Sequence, residues 1–442
     1  MLAGIFELIE PDVLNDASRR VFNIRCQRFF VNELTFDESL REAVGSLGSN
    51  GVLESLLDTP ALREWMWTLR RLRASLRGPG ESLPMDALGH LCIDRVYAGR
   101  VGELLVHQLV GIVAGQALQR GMSFKYEAKF ASPRNLYLDG IGLLSFECAG
   151  LDSSFEIVVR DDTFIIRSDG SDSKFRIGRA NQQGRLAFTP TLYTGGKYRR
   201  ISELALLNPS LTQPAFQPFP QLLGMAANRA WLDDIDLCLE RLIETELPCV
   251  EFVLSQCKAM VGIVSLTEVI GSGSREEALG LVYLPAGTNL LDLAECILHE
   301  SLHQLLFRIE ETTPLFDSQS DAAERYYSPW RTDPRSLRMV LHGAFVFSGV
   351  ATLHQLWTES PPVDQRFHGR AEGAYCRFRE SAMAIETVRR HAVLTPVGIK
   401  VVSSIENQLR HVSNRLVLPG EARAGIDESI QAKRDALPSF IA

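Results

Sequence analysis

The spacing of apolar residues changes twice along the chain, and these changes constrain the fold more than any other feature. Apolar residues recur at three- and four-residue intervals in Leu53 to Leu72 and in Val101 to Leu118, as in helices with one buried face. Near Met122 the pattern becomes alternating, as in half-buried strands, and it stays so until about residue 205. Helical spacing returns beyond Ala226. The sequence therefore predicts an α+β fold that is mainly helical.

A chain of 442 residues exceeds the usual size of one domain, so two or three domains are expected. The changes in spacing predict a helical N-terminal region at 1–122 and a β-rich middle region at 123–215. A mainly helical C-terminal domain follows at 216–442 and contains the histidine motif described below. The middle region ends in a proline-rich strap, Asn208 to Phe219. Within it, Phe155 to Arg160 and Thr163 to Arg167 predict a tight hairpin across Asp161-Asp162.

Composition narrows the functional classes. The net charge is −8 without a long basic run, which argues against a nucleic-acid partner. No apolar stretch reaches the roughly 18 residues of a membrane span, and the acidic N-terminus does not fit a signal peptide. The eight cysteines form no CxxC pair, which is typical of free thiols in a reducing compartment. We expect a cytoplasmic protein that binds no membrane; the oligomeric state stays open, with a homodimer as one option.

Local signals predict further elements. Pro60 can begin a helix that Thr59 caps. Two strands are predicted at Ile263 to Ile270 and Ala278 to Leu284, separated by a glycine-rich turn at Gly271 to Ser274. A loop is expected from Thr312 to Pro334, followed by a buried apolar helix from Leu337 to Phe347.

The segment Leu298-His299-Glu300-Ser301-Leu302-His303 carries the chemistry. It lies within an apolar-periodic run that ends at Ile309 and that Thr288 or Asn289 can cap, so it is predicted to be helical. His299 and His303 are one turn apart on one face and can direct two imidazoles at one ion, at about 2.0–2.1 Å each. Glu300 lies about 100° round the helix from His299. It can act as a general base on a metal-bound water, or it can act in the second shell around the metal. Two ordinary, partly buried histidines would show the same spacing, but the helical context favours a metal site.

The third metal ligand decides the chemistry. No glycine and third histidine follow His303, which excludes the metzincin class of metalloproteases. A carboxylate ligand from a following helix would be Glu324, with Glu310 and Glu311 as poorer candidates.

A third imidazole could come instead from His342, which lies in the predicted buried helix beside Gly343, a glycine that permits close approach. Taken alone, His342 is better explained as a core histidine with a polar partner. A pair of imidazoles that needs a third ligand favours it over His354, which lies 12 residues further on.

The sequence resembles the HExxH motif-containing peptide modification proteins, a family associated with ribosomally made peptide products (RiPP biosynthesis). The similar part covers roughly residues 220–360. The resemblance is carried by three blocks: Leu298 to Leu306, Ser328-Pro329-Trp330-Arg331-Thr332-Asp333-Pro334-Arg335, and Leu341-His342-Gly343-Ala344-Phe345.

The resemblance implies a non-haem iron(II), 2-oxoglutarate-dependent oxygenase that hydroxylates a side-chain carbon of a precursor peptide, with the β-carbon as the expected position. His299, His303 and His342 would hold the iron, which departs from the common triad of two histidines and one carboxylate. Arg331 or Arg335 would bind the distal carboxylate of 2-oxoglutarate, since an arginine fork fits a carboxylate. Without the family, surface pairing of Arg331 with Asp333 would be the simpler interpretation. The strand Ala278 to Leu284 could offer an edge for an extended peptide.

Two other functions remain open. In a zinc metallopeptidase, His299, His303 and Glu324 would hold Zn(II), and Glu300 would activate water. In a non-catalytic maturation partner, the histidines would be degenerate and the protein would only bind the precursor peptide.

Overall fold

The fold was analysed in a computed structural model. It describes residues 11–32, 59, 61–63, 65–66, 101–120, 122, 124–128, 135–138, 141–146, 155–160, 163–168, 171–176, 181–183, 186–190, 192–194, 198–200, 221–222, 225–264, 271–317, 325–331 and 333–435. The predicted proline-rich strap and Glu324 lie outside these residues, as does most of the predicted helix Leu53 to Leu72.

The N-terminal region is helical where the structure describes it. Helix α1 spans Pro11–Asn32 and helix α2 spans Val101–Gln119, which confirms the predicted helix there. Residues 61–63 and 65–66 are also helical. The Thr59 hydroxyl accepts a hydrogen bond from the Leu62 backbone N–H at 3.3 Å, as predicted for the cap of this helix.

Two antiparallel four-stranded sheets form the middle region among the described residues. Their strands are β1 Phe124–Ala128, β2 Asn135–Leu138, β3 Gly142–Phe146, β4 Phe155–Arg160, β5 Thr163–Ser168, β6 Ser171–Arg176, β7 Asn181–Gln183 and β8 Leu186–Pro190. The strand orders are β1-β4-β5-β6 and β2-β3-β8-β7. The predicted hairpin is confirmed, because β4 and β5 pair antiparallel with Arg160 opposite Thr163.

A third sheet joins the middle of the chain to its C-terminal part. It contains β9 Leu192–Thr194, β10 Tyr198–Arg200, β11 Gln221–Leu222, β12 Ala259–Val264, β13 Gly273–Ser274 and β14 Leu281–Pro285. The order is β13-β14-β12-β10-β9, and β11 also pairs with β12. Strands β9 and β10 thus belong to the same sheet as strands from beyond residue 216.

Three details of this sheet correct the sequence predictions. The first strand begins at Ala259 rather than Ile263. The predicted turn contains β13, because Gly273 and Ser274 pair with Tyr283 and Val282 of β14. Strand β14 is bonded on both sides, to β12 along its length and to β13 at Val282 and Tyr283, so it is not the open edge that the sequence suggested. Cross-strand pairing, which local sequence does not encode, explains all three differences.

The C-terminal part is a bundle of helices around one core. The helices are α3 Met225–Glu244, α4 Val250–Leu254, α5 Leu290–Thr312, α6 Leu337–Glu359, α7 Ala371–His391, α8 Pro396–Arg415 and α9 Gly420–Asp435. Helix α5 packs against α1, α3, α4, α6 and strands β13 and β14. It buries residues on most of its circumference, as a helix inside a core must. With the N-terminal helices, this bundle makes the described chain mainly helical, as predicted.

Caps set the starts of the two helices that cross at the histidine motif. The Asn289 side chain accepts a hydrogen bond from the Asp292 backbone N–H at 2.9 Å and begins α5. Ser336 caps α6 in the same way. By length and composition α6 could cross a membrane, but 78% of its most apolar window is buried inside the structure. It is therefore packed as a core helix.

Candidate metal centre

His299 and His303 lie on one face of α5, one turn apart. Their ring centroids are 4.8 Å apart and their planes cross at 72°. Burial lowers the pKa of His299 to about 4, and it lowers the pKa of His303 well below its usual value. Both imidazoles are therefore neutral at pH 7, the state in which a ring nitrogen can bind a metal ion.

His342 meets His303 where α6 crosses α5. Its side chain is fully buried, and its Nδ1 lies 3.3 Å from Nδ1 of His303. Phe307, one turn after His303, packs against the His342 ring with centroids 4.8 Å apart. Two nitrogens at this separation, each about 2.0–2.1 Å from one ion, subtend roughly 105–110° at the ion, which is close to tetrahedral. His303 and His342 are thus placed as a pair of ligands.

The three histidines do not converge completely. Across the described part of the chain, no group of three or more His, Cys, Asp and Glu side chains is arranged to hold a metal ion as it stands. The His299 ring contacts the His303 ring, with centroids 4.8 Å apart, and the His303 ring in turn stacks on His342, with centroids 5.5 Å apart. The donor set nevertheless suits a metal such as iron or zinc, because all three groups are imidazoles and two of them have strongly lowered pKa values.

The second nitrogen of His342 is bonded to Glu310 of α5. The distance from His342 Nε2 to Glu310 Oε2 is 2.9 Å. Burial opposes ionisation of Glu310, but hydrogen bonds from His342 and Arg338 outweigh it, so that the pKa of this carboxyl is lowered. A carboxylate on the outer nitrogen is the usual partner of a metal-binding histidine. Glu310, predicted only as a poor direct ligand, is therefore bonded to the nitrogen of His342 that does not face His303.

Glu300 is buried beside the histidines and is only 2% exposed. Ser272 donates a hydrogen bond to its Oε1 at 2.7 Å, and His299 Nε2 lies 4.0 Å from the same oxygen. Its Oε2 has no hydrogen-bond partner among the described residues. Burial raises the pKa of Glu300 to about 7, against the opposing effect of the nearby hydroxyls. A carboxyl with such a pKa can accept or donate a proton near neutral pH.

The two candidate arginines have different surroundings. Arg335 pairs with Asp333 at 2.9 Å, so the predicted surface pairing of Asp333 exists but with the other arginine. Arg331 is exposed and has no carboxylate partner in the ranges that the structure describes. Burial is the main cause of the pKa shifts of His299, Glu300 and His303, and the positive charge of Arg331 lowers the pKa of all three. Of the two candidates, Arg331 is thus the one whose charge acts on the site, and Arg377 also lowers the pKa of His299.

An aromatic wall closes the site near His299. Phe347 contacts the His299 ring, with centroids 4.8 Å apart, and Trp330 stacks on Phe347 at 4.9 Å. Trp330 packs so close to Gly343 that a Cβ there would lie 2.4 Å from its ring. This confirms that the glycine beside His342 permits a close approach. It also places the loop before Arg331 against α6.

A cavity of about 340 Å³ lies on the other side of His342. Phe307, Glu310 and Arg338 form the wall that it shares with the histidine cluster, and α1 contributes Phe22 and Arg25. Its charged lining consists of three arginines and four glutamates. This volume falls in the range of small-molecule sites, about 300–1,000 Å³.

The sequence indicated Glu310 only as a poor direct ligand, and it did not indicate Ser272 or Arg338 as parts of the site. A signal existed for Glu310, because it follows His303 by seven residues and so lies on the same face of α5. Ser272 and Arg338 reach the site only through tertiary packing. The proposed carboxylate ligand Glu324 lies outside the described residues. His354, the weaker histidine candidate, bonds Glu295 at 3.1 Å instead.

Comparison with known proteins does not identify a relative. No protein-family model matches the chain, and no curated protein matches it.

Proposed function

We propose that the protein is a non-haem iron(II), 2-oxoglutarate-dependent oxygenase that hydroxylates a side-chain carbon, the β-carbon, of a ribosomally made precursor peptide. The observation that carries this proposal is a cluster of three imidazoles, two of which, His299 and His303, are affected by the charge of an arginine without a carboxylate partner in the described chain. The imidazoles suit the metal and the arginine suits an anionic co-substrate.

His299, His303 and His342 would hold the metal. Three protein ligands leave positions open for other groups, and the iron would then supply activation of dioxygen together with the keto acid. Glu310 and Phe307 keep the His342 ring in place. Burial keeps the His299 and His303 rings unprotonated, and the His342 side chain is fully buried.

Arg331 would bind the distal carboxylate of 2-oxoglutarate. Its guanidinium presents a planar fork of donors that matches a carboxylate, and its charge already acts on the buried groups of the site. Arg335 is the poorer candidate because Asp333 already neutralises it. The Trp330–Phe347 wall would shield the co-substrate from bulk water.

The cavity beside His342 is the proposed place for part of the peptide. Its mixed lining of charged and apolar side chains suits a peptide better than a purely apolar ligand. The proposal makes the precursor peptide the partner and places the protein in the cytoplasm, without nucleic acid or membrane.

A zinc metallopeptidase is the second candidate, and Glu300 is the observation that favours it. A buried carboxyl with a pKa of about 7, and with one oxygen that has no hydrogen-bond partner among the described residues, is suited to take a proton from a metal-bound water. In the oxygenase, Glu300 would belong only to the second shell around the metal and would interact with the groups that surround the ligands.

Anaerobic reconstitution distinguishes the candidates. Iron(II) and 2-oxoglutarate added together should produce the weak visible charge-transfer band of a chelated keto acid, and His342→Ala should lose it. Tight zinc binding with no such band, together with chelator-sensitive cleavage of a model peptide, would replace the oxygenase by the peptidase. Absence of any stoichiometric metal would leave a peptide-binding partner as the function.

A further inference from the structure

We infer that Glu310 is a positioning residue that fixes the tautomer of His342, so that the lone pair of Nδ1 faces His303. The inference rests on the proposed metal site, because it explains how one of its ligands would be kept ready for the ion. It concerns a hydrogen bond that exists in the protein without the metal.

The two nitrogens of His342 have different partners. An ionised carboxylate only accepts hydrogen bonds, so in the 2.9 Å contact with Glu310 the Nε2 of His342 is the donor and carries a proton. In the neutral ring, which is the form that can bind a metal ion, the lone pair is then on the other nitrogen, Nδ1. That nitrogen, on a fully buried side chain, lies 3.3 Å from Nδ1 of His303. The hydrogen bond from Nε2 to Glu310 therefore leaves the lone pair of the neutral ring on Nδ1, which faces His303.

Arg338 holds the carboxylate in place. Its Nε donates to both oxygens of Glu310, at 3.1 and 3.0 Å, and its Nη2 donates at 2.7 Å. Arg338 also pairs with Glu276 on the far side. Arg338 precedes His342 by one turn of α6, so both partners of Glu310 come from the same helix. Because the guanidinium fork engages both oxygens, the carboxylate has little freedom to turn away from His342.

A second histidine–glutamate pair between the same helices shows why this one is different. His354 Nε2 bonds Glu295 at 3.1 Å, much as His342 bonds Glu310. However, Nδ1 of His354 accepts a hydrogen bond from the Arg370 backbone N–H at 3.4 Å, so that both of its nitrogens are used. In the His342 pair, Nδ1 faces another imidazole instead of a backbone donor. A purely structural pair has no need for this arrangement.

The test measures the tautomer without metal. Histidine labelled with ¹⁵N in the full chain allows long-range proton–nitrogen correlation spectra, and the His342 signals are assigned from their absence in His342→Asn. Wild-type His342 should carry its proton on Nε2. In Glu310→Gln the amide can also donate, so a substantial share of the Nδ1-protonated form should appear.

Metal affinity provides the second readout. Zinc binding by Glu310→Gln should weaken about 10- to 100-fold, as is usual when the outer partner of a metal-binding histidine is lost. Glu311→Gln is the matched control: the adjacent carboxylate is also paired with arginines, but its partners are Arg63, Arg25 and Ser18 rather than a histidine. Zinc affinity of the control should stay within about threefold of wild type.

The outcomes separate the two proposals. Protonation of wild-type His342 on Nδ1 would overturn the inference, and this measurement needs no variant. The inference would also be overturned if, in Glu310→Gln, His342 kept its proton on Nε2 and zinc bound as tightly as it binds to the control Glu311→Gln. A wild-type protein that binds no metal would refute the metal site alone, since the tautomer spectra would still decide the role of Glu310.

Discussion

Replacement of Gly343 by alanine tests how the loop that carries Arg331 is held. The new Cβ would lie 2.4 Å from Cζ3 and 2.6 Å from Cε3 of Trp330, where ordinary contacts begin at 3.4 Å. The indole must therefore move by roughly 1 Å, and its stacking on Phe347 will be disturbed. Overpacking of this kind costs about 1–3 kcal/mol, whereas alanine in place of glycine in a helix stabilises by about 1 kcal/mol.

We expect the free energy of unfolding of Gly343→Ala to fall by about 0–2 kcal/mol, the difference between these two effects. The larger consequence should be functional. If displacement of Trp330 moves the adjacent Arg331, one charge-assisted hydrogen bond to the co-substrate is lost. That loss costs about 1.5 kcal/mol or more, which corresponds to binding of 2-oxoglutarate that is weaker on the order of tenfold.

Urea denaturation and titration of 2-oxoglutarate into the iron-loaded protein, followed by the charge-transfer band, measure the two effects. Gly425→Ala in α9 is the matched control, because a Cβ there meets nothing within 4 Å. It should stabilise the protein by up to about 1 kcal/mol and leave co-substrate binding unchanged. If Gly343→Ala stabilises the protein as much as the control and binds 2-oxoglutarate equally well, the proposed packing of Trp330 is refuted.

Three further predictions concern the metal and its surroundings. Arg331→Met should weaken 2-oxoglutarate binding at least about tenfold and Arg335→Met less than about threefold, and equal effects in the same titration would contradict the assignment. His303→Ala should abolish iron binding while still unfolding cooperatively, and full retention of iron would refute its role as a ligand. In metal-free protein, the pKa of Glu300 is about 7 in the folded state against an ordinary value of 4.5. Its contribution to folding stability is therefore fully present below pH 4.5 and is lost as the pH rises through 7. Glu300→Gln should therefore gain up to about 3 kcal/mol over wild type between pH 4.5 and 8 in urea denaturation, and parallel pH curves would contradict this.

Much of the local structure could be predicted from the sequence because its causes are local. The cap at Asn289 and the apolar spacing that follows it depend on neighbours within one or two turns, and they led to α5 with His299 and His303 on one face. The hairpin of β4 and β5 follows from alternation on either side of a short connection. The close approach at Gly343 was also foreseen, although its partner Trp330 was not.

Strand pairing and side-chain pairing could not be predicted from the sequence. The glycine-rich stretch around Gly273 has the composition of a turn, but its backbone groups find partners in β14 and form an edge strand. For the same reason β14 is an inner strand. Arg331 and Arg335 lie in one short loop and look equivalent in sequence, yet Asp333 neutralises only Arg335.

The types of donor that this protein offers can be read from the sequence: a helix with two imidazoles and a carboxyl, a third histidine in an apolar helix, and a loop with two arginines. How these donors meet depends on the tertiary packing. The crossing of α5 and α6 brings Nδ1 of His342 to 3.3 Å from Nδ1 of His303 and gives the outer nitrogen to Glu310. Burial then shifts the pKa values of His299 and Glu300. Hydrophobic spacing specifies which face of a helix is buried, but the geometry between two side chains 39 residues apart depends on how the whole core packs.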